Sequence, residues 1–173
     1  MKKFVPFAVA CVTAWTVSPV LAADAQREAD VSRRGAEVMP FSLTATTHVF
    51  TKTADGGVQR VIAKNAADVG QIKLIREHLH EIQMQFSRGD FSGPTYIHGT
   101  HMPGLAELKA AAPGEIAVAY QGVEAGAELV YRTANPKLVV ALHEWFDAQL
   151  SDHGADAMAG HAHQHEHGSE QGQ

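Results

Sequence analysis

The sequence predicts an α+β fold in which two β-β-α units form a four-stranded antiparallel sheet with helices packed on one face. Three observations carry this. Two pairs of β-branched and aromatic runs are each separated by a Gly-containing turn. Each pair is followed by a segment whose apolar residues recur at steps of three and four. Neither hairpin is stable alone, so both need a shared layer to bury their apolar sides.

Residues 1–22 read as a secretory signal. Lys2 and Lys3 form a basic start, Phe4 to Val17 is almost uninterruptedly apolar, and Val20-Leu21-Ala22 supplies a cleavage context. The apolar run is too short for a comfortable membrane span of roughly 20 residues, and no second run follows. The expected location is periplasmic or secreted, after cleavage near Ala22. Residues 23–38 (ADAQREADVSRRGAEV) are polar and alanine-rich and read as a linker or frayed helix.

The domain is expected over residues 39–153. Ser42 to Lys52 and Val58 to Lys64 flank Asp55-Gly56-Gly57, whose access to positive φ suits a tight hairpin. A long helix is predicted from about Ala66 to Ser87 on the stripe Ile72, Ile75, Leu79, Ile82 and Phe86. Residues 90–104 read as a Gly- and Pro-rich loop, and Leu105 to Ala111 as a short helix. Glu115 to Val123 and Ala127 to Thr133 form the second hairpin. Asn135-Pro136 then starts the last helix, because Asn caps and Pro fits the first turn. Leu138, Val139, Leu142, Trp145, Phe146 and Leu150 are its expected buried face. Residues 154–173 read as a disordered, histidine-rich tail with no apolar stripe.

The single cysteine, Cys11, lies inside the signal. The remaining chain therefore has no thiol for disulfides, thiolate metal sites or nucleophilic catalysis. Removing Lys2 and Lys3 leaves 12 basic against 19 acidic residues, a net charge of −7 with His neutral. That balance lacks the basic footprint of a nucleic-acid partner. No G-x-S-x-G, H-E-x-x-H, P-loop or G-x-G-x-x-G pattern occurs. No catalytic residue or organic cofactor is nominated, and the chain reads more readily as a binder than as an enzyme.

The eleven histidines carry the strongest chemical signal. In the tail, His161, His163, His165 and His167 alternate with small and polar residues, a pattern suited to copper, nickel or zinc. In the domain, His48 shares a strand face with Phe50, and His143 falls on the last helix's apolar stripe. A core role is the plainer reading of each. His78 flanks the stripe of the long helix, and His153 ends the last one. His98, His101 and Met102 stand within five residues of one another, a set that suits a soft ion such as copper(I) or serves as an ordinary connecting loop.

The strings MPFSLTATTHVFTKTADGGVQRV, QIKLIREHL, RGDFSGPTYIHGTHMPGLAEL and ALHEWFDAQLSDHG lie within a stretch covering about two-thirds of the chain. Through them the sequence resembles a family of small bacterial proteins that commonly carry the name aspartate carbamoyltransferase. The resemblance implies a transferase acting on carbamoyl phosphate. The Ser-Thr-Arg-Thr-Arg and His-Pro-x-Gln motifs that hold that substrate are absent from this sequence. The expectation from the residues themselves is a periplasmic protein for copper, nickel or zinc handling or sequestration. The alternatives are a non-catalytic domain for a small ligand or envelope partner, and the transferase.

Overall fold

The computed structural model describes residues 19–161, so the expected signal core and most of the histidine tail lie outside the described residues. The α+β class holds, but the sheet has five strands in the order β3-β4-β2-β1-β5. Strands β1 (Thr46–Thr53) and β2 (Gly56–Ala63) form the first hairpin, and β3 (Ala117–Val123) and β4 (Gly126–Arg132) the second. Antiparallel pairing of β2 with β4 joins the two hairpins. The fifth strand, β5 (Ala157–Ala159), runs parallel to β1, with His48 opposite Ala157 and Phe50 opposite Ala159.

This corrects the purely antiparallel, four-stranded expectation. Ala-Met-Ala has no alternating apolar pattern of its own. It is ordered because Gly154 (φ +51°) turns the chain at the end of the last helix and returns it along the free edge of β1. The Gly160 N–H then bonds to the Phe50 carbonyl, 2.9 Å away. Residues 154–159, expected to be disordered, are therefore part of the folded unit.

Two further helices differ from the sequence reading, which gives a linker or frayed helix over 23–38 and a loop over 90–104. Helix α1 (Pro19–Val38) runs unbroken through Ala22 and takes in the whole of residues 23–38. It is docked rather than a linker, since Val31 is fully buried. Helix α3 (Ser92–His98) occupies the middle of the segment read as a loop. The remaining helices match the apolar stripes: α2 (Val69–Phe86), α4 (Leu105–Ala110) and α5 (Pro136–His153). Asp68 caps α2 through the Gln71 N–H, and Asn135 caps α5 through the Lys137 N–H.

Helices α2 and α5 cover one face of the sheet. The Tyr131 ring of β4 touches Phe86 of α2 and also Trp145 and Phe146 of α5. Leu129, Leu142, Ile75 and Phe146 complete a core closed to solvent. On α5 the buried face includes two polar residues, Gln149 and Asp152. Among the described residues no helix is long and apolar enough to cross a membrane.

Gly104 shows how tightly α4 and α5 approach. Its φ is +72°, and a Cβ there would collide with the Ala141 carbonyl oxygen. Gly89 has a similar φ of +76° but open space around it. Gly89→Ala should cost about 1–2 kcal/mol from the left-handed backbone alone. Gly104→Ala should cost at least about 1 kcal/mol more, because it adds a backbone collision. Urea unfolding of the two variants checks the difference.

Candidate functional site

The candidate site is a row of three imidazoles lying between β1, α3 and α5. His48 points inward from β1 with Phe50, and it is 2 % exposed. His98 is the last residue of α3, and His153 is the last residue of α5. The ring centres of His48 and His153 are 5.0 Å apart, and those of His153 and His98 are 5.2 Å apart. Helix ends deliver two of the three rings, so the site depends on how α3 and α5 stop.

Two of the three rings are held through one nitrogen. His98 Nδ1 lies 2.8 Å from Asp152 Oδ2. The carboxylate accepts, so Nδ1 carries the hydrogen. His153 Nε2 donates to the Gln149 amide oxygen, 3.1 Å away, one helical turn earlier. His48 lies beside Asp156, which partly opposes the effect of burial on its ring. Its Nδ1 is buried without any partner.

Asp152 is the anchor of this arrangement. It is 3 % exposed, and Arg27 of α1 grips it from the other side. Arg27 Nε and Nη2 reach its two oxygens at 2.5 and 2.7 Å. Burial pushes the Asp152 carboxyl up, but hydrogen bonds from His98 and Arg27 outweigh it and hold the group below the usual carboxylate range. The buried face of α5 thus carries a carboxylate charge rather than a neutral acid.

The other two rings are neutral well below pH 7. Desolvation lowers His48 to about 4, against a smaller opposing pull from Asp156. Desolvation lowers His153 to about 3, helped by the neighbouring His48 and His98 rings. A neutral imidazole offers a lone pair, which a protonated one does not.

His48 and His153 also line a cavity of about 50 Å³. His78 of α2 lines it too, with its ring edge-on to Phe41 at 5.6 Å and its proton affinity lowered by desolvation. Most of the remaining wall is apolar, including Phe41, Leu79 and Ile97. The space holds a few water molecules or a very small ligand, not an organic substrate.

The other candidates lie apart from this row. Met102 is 3 % exposed and packs in the hydrophobic core, so it joins no site with His98. His101 is exposed beside Arg27 and Glu144 in an open surface cleft. His143 Nε2 lies 3.0 and 2.9 Å from the Thr53 and Gly56 carbonyls, donates toward them, and so ties the first hairpin to α5. His161 is exposed, and His163, His165 and His167 lie outside the described residues. Arg27, Gln149 and Asp152 were not among the residues the sequence singled out. Only the i,i+4 spacing of Gln149 and His153 is a local signal; the Arg27–Asp152 contact spans 125 positions.

Two imidazoles sharing an ion at metal–nitrogen distances of about 2 Å stand with ring centres roughly 5 Å apart, the spacing seen here. Orientation is the unmet condition. Among the described residues no three His, Cys, Asp or Glu side chains are arranged to hold a metal ion. His48 and His153 lie nearly face to face at 26°. Rotation of at least one ring is needed before their free nitrogens share a point.

The two lowered histidines give the metal-free chain a defined acid sensitivity. In the unfolded chain each titrates near 6.5, whereas in the fold they resist protons down to about 4 and 3. Above pH 6.5 both states are neutral and neither group alters stability. Below it the unfolded state binds protons first, so stability falls by up to about 1.4 kcal/mol per pH unit for each histidine. The urea midpoint should drop steeply between about pH 6.5 and 4. His48→Gln should flatten that slope; an unchanged slope would exclude His48 as a source.

No family model, no curated protein and no solved structure matches this chain.

Proposed function

We propose that the protein is a periplasmic metal-binding protein that handles or sequesters copper, nickel or zinc, with His48, His98 and His153 as its folded site. One observation carries this reading. Among the three neighbouring imidazoles, His98 and His153 each have one nitrogen engaged by an oxygen acceptor, and His48 has a buried Nδ1 with no partner. That is how proteins orient metal-ligating histidines: a carboxylate or carbonyl behind the ring fixes the tautomer and raises ligand basicity. The Asp152–His98 pair, steadied by Arg27, is the clearest instance. The histidine tail supplies a second, looser element of the same chemistry.

The donor set is nitrogen only. With Met102 in the core and no thiol outside the expected signal, the domain site favours copper(II), nickel(II) or zinc(II) over an ion that needs sulfur. The small cavity gives less support to a ligand-binding domain for organic molecules. A carbamoyl-phosphate site calls for converging arginines. Here Arg27 and Arg60 are paired with Asp152 and Glu128, and Arg76 bonds the 123, 124 and 126 carbonyls.

The test separates domain from tail. The full chain would be compared with a chain carrying His161, His163, His165 and His167 all changed to Asn, each titrated with Cu(II), Ni(II) and Zn(II) by calorimetry. The tail-silenced chain should keep one ion per molecule. Adding His98→Asn and His153→Asn should weaken that ion at least about tenfold, as loss of a ligand or its support does. If the tail-silenced chain binds no ion, the folded cluster is not a metal site and the tail is the only metal element.

A further inference from the structure

The sheet has a second face, opposite the one that α2 and α5 cover. In β1 the alternation is regular: Thr46, His48 and Phe50 are buried on the helix side, whereas Thr47, Val49 and Thr51 point the other way and are partly exposed. An antiparallel face that meets only water reads as polar residues at alternate positions. This one carries Val49, Val58, Ile62, Val130 and Met158, and Met158 is 54 % exposed. At its centre is one ion pair. Arg60 of β2 stands opposite Glu128 of β4 and reaches its carboxylate at 2.7 and 2.8 Å.

The layout of this face is complementary to itself. Arg60 and Glu128 are direct cross-strand neighbours, with Val58 opposite Val130 to one side and Ile62 opposite Gly126 to the other. A half-turn about an axis running along the strands between β2 and β4 stacks a second copy on the first. Arg60 of each copy then faces Glu128 of the other, and Val58 faces Val130. Ile62 faces Gly126, which has no side chain to obstruct it. The strands of the two sheets stay aligned, the usual arrangement of packed sheets.

The energetics favour the same partner. The Glu128 side chain is only 11 % exposed, so much of the desolvation that burying the pair costs is already met in the single chain. Strands of seven or eight residues, four abreast, give a face of roughly 500 Å² per copy at about 3.3 Å per residue and about 4.8 Å between strands. Two copies bury about 1,000 Å², the lower end of what a specific interface needs.

We propose that the open sheet face is a homodimer interface, in which two copies of this chain stack as an aligned sandwich centred on the Arg60–Glu128 pair. It stands independently of the metal reading.

The full chain is studied with a chelator present, so that metal on the tail cannot bridge copies. Sedimentation velocity from about 1 to 300 micromolar should show the mass rise from one copy to two. Val130→Lys should weaken the dimer at least about tenfold by placing an unpaired charge in the contact. Ala119→Lys should do the same; Ala119 is the β3 neighbour of Val130 and is exposed in the single chain, so the fold tolerates the change. The sharper test exchanges the charges. Arg60→Glu combined with Glu128→Arg keeps the cross-strand pair, and that chain should still dimerise with itself. Mixed with the native chain it should form at least about tenfold less mixed dimer, because like charges then face each other at both positions. Native mass spectrometry with one chain labelled with heavy nitrogen counts the mixed species. A chain that stays single at every concentration overturns the proposal. A dimer that survives both lysine substitutions, or that mixes freely with the exchanged chain, lies elsewhere on the molecule and overturns it too. A single chain whose β1 and β2 amide resonances move when residues 162–173 are removed assigns the face to the tail instead.

Discussion

The Asp152 carboxylate, buried at the end of α5 and held between His98 and Arg27, is the interaction on which the site depends. An ionised carboxylate with almost no solvent is expensive unless its lone pairs are used. Here the use of those lone pairs draws three elements together: α5 supplies the charge, α3 ends on the His98 ring, and α1 delivers the guanidinium. Arg27 itself is 47 % exposed, so its pairing energy is screened and modest, about 1 kcal/mol. Its larger effect is geometric. It fixes how α1 lies across the ends of α3 and α5, and Val31 is buried by that docking.

His153 follows Asp152 as the last residue of α5, and its ring is drawn in beside His48. The fold then carries a second cost, two neutral imidazoles in an apolar cavity, one with an unpartnered nitrogen. Such a group typically costs about 1–3 kcal/mol. The surrounding core absorbs it: Phe50, Phe146, Trp145 and Tyr131 interlock through ring contacts of 5.2–5.8 Å. β5 adds the final cover, because the chain that leaves His153 passes beside His48 before pairing with β1. Imidazole side chains are kept in a wall that is otherwise mostly apolar. Unsatisfied groups at such a position call for an explanation, and a ligand that uses them is one.

The parts of the fold legible in the sequence are those with local signals. The Gly-containing turns mark both hairpins, and the apolar stripes with Asn135-Pro136 mark α2 and α5. β5 is illegible because three residues without alternation become a strand only through the edge of β1. α1 reads only as a linker or frayed helix because what holds it is long-range: buried Val31, the Arg27–Asp152 pair and the Tyr96–Glu37 hydrogen bond, with no stripe to read. α3 hides within Gly and Pro that usually mark loops, although Pro94 sits in the first turn, where proline is tolerated. At the site, the alternation with Phe50 indicates that His48 faces inward. Nothing local marks Asp152 or Arg27 as supports of the row. Met102 shows the reverse error: a thioether beside His101 looks like a ligand in sequence but fills the core in space.

The histidines themselves divide by what their second nitrogen does. His143 spends Nε2 on two backbone carbonyls at the β1–β2 turn, which explains its place on the α5 stripe as architecture. His101 is exposed at the surface cleft and plays no such structural part. His98 and His153 each have one nitrogen engaged in the fold, whereas His48 has a buried Nδ1 with no partner. Burial alone would not distinguish these cases, because His48 and His98 are as buried as the core around them. The distinction is that a structural histidine is complete when the chain has folded. His48 Nδ1 is buried without a partner, as is the indole nitrogen of Trp145, and both residues line the same small cavity.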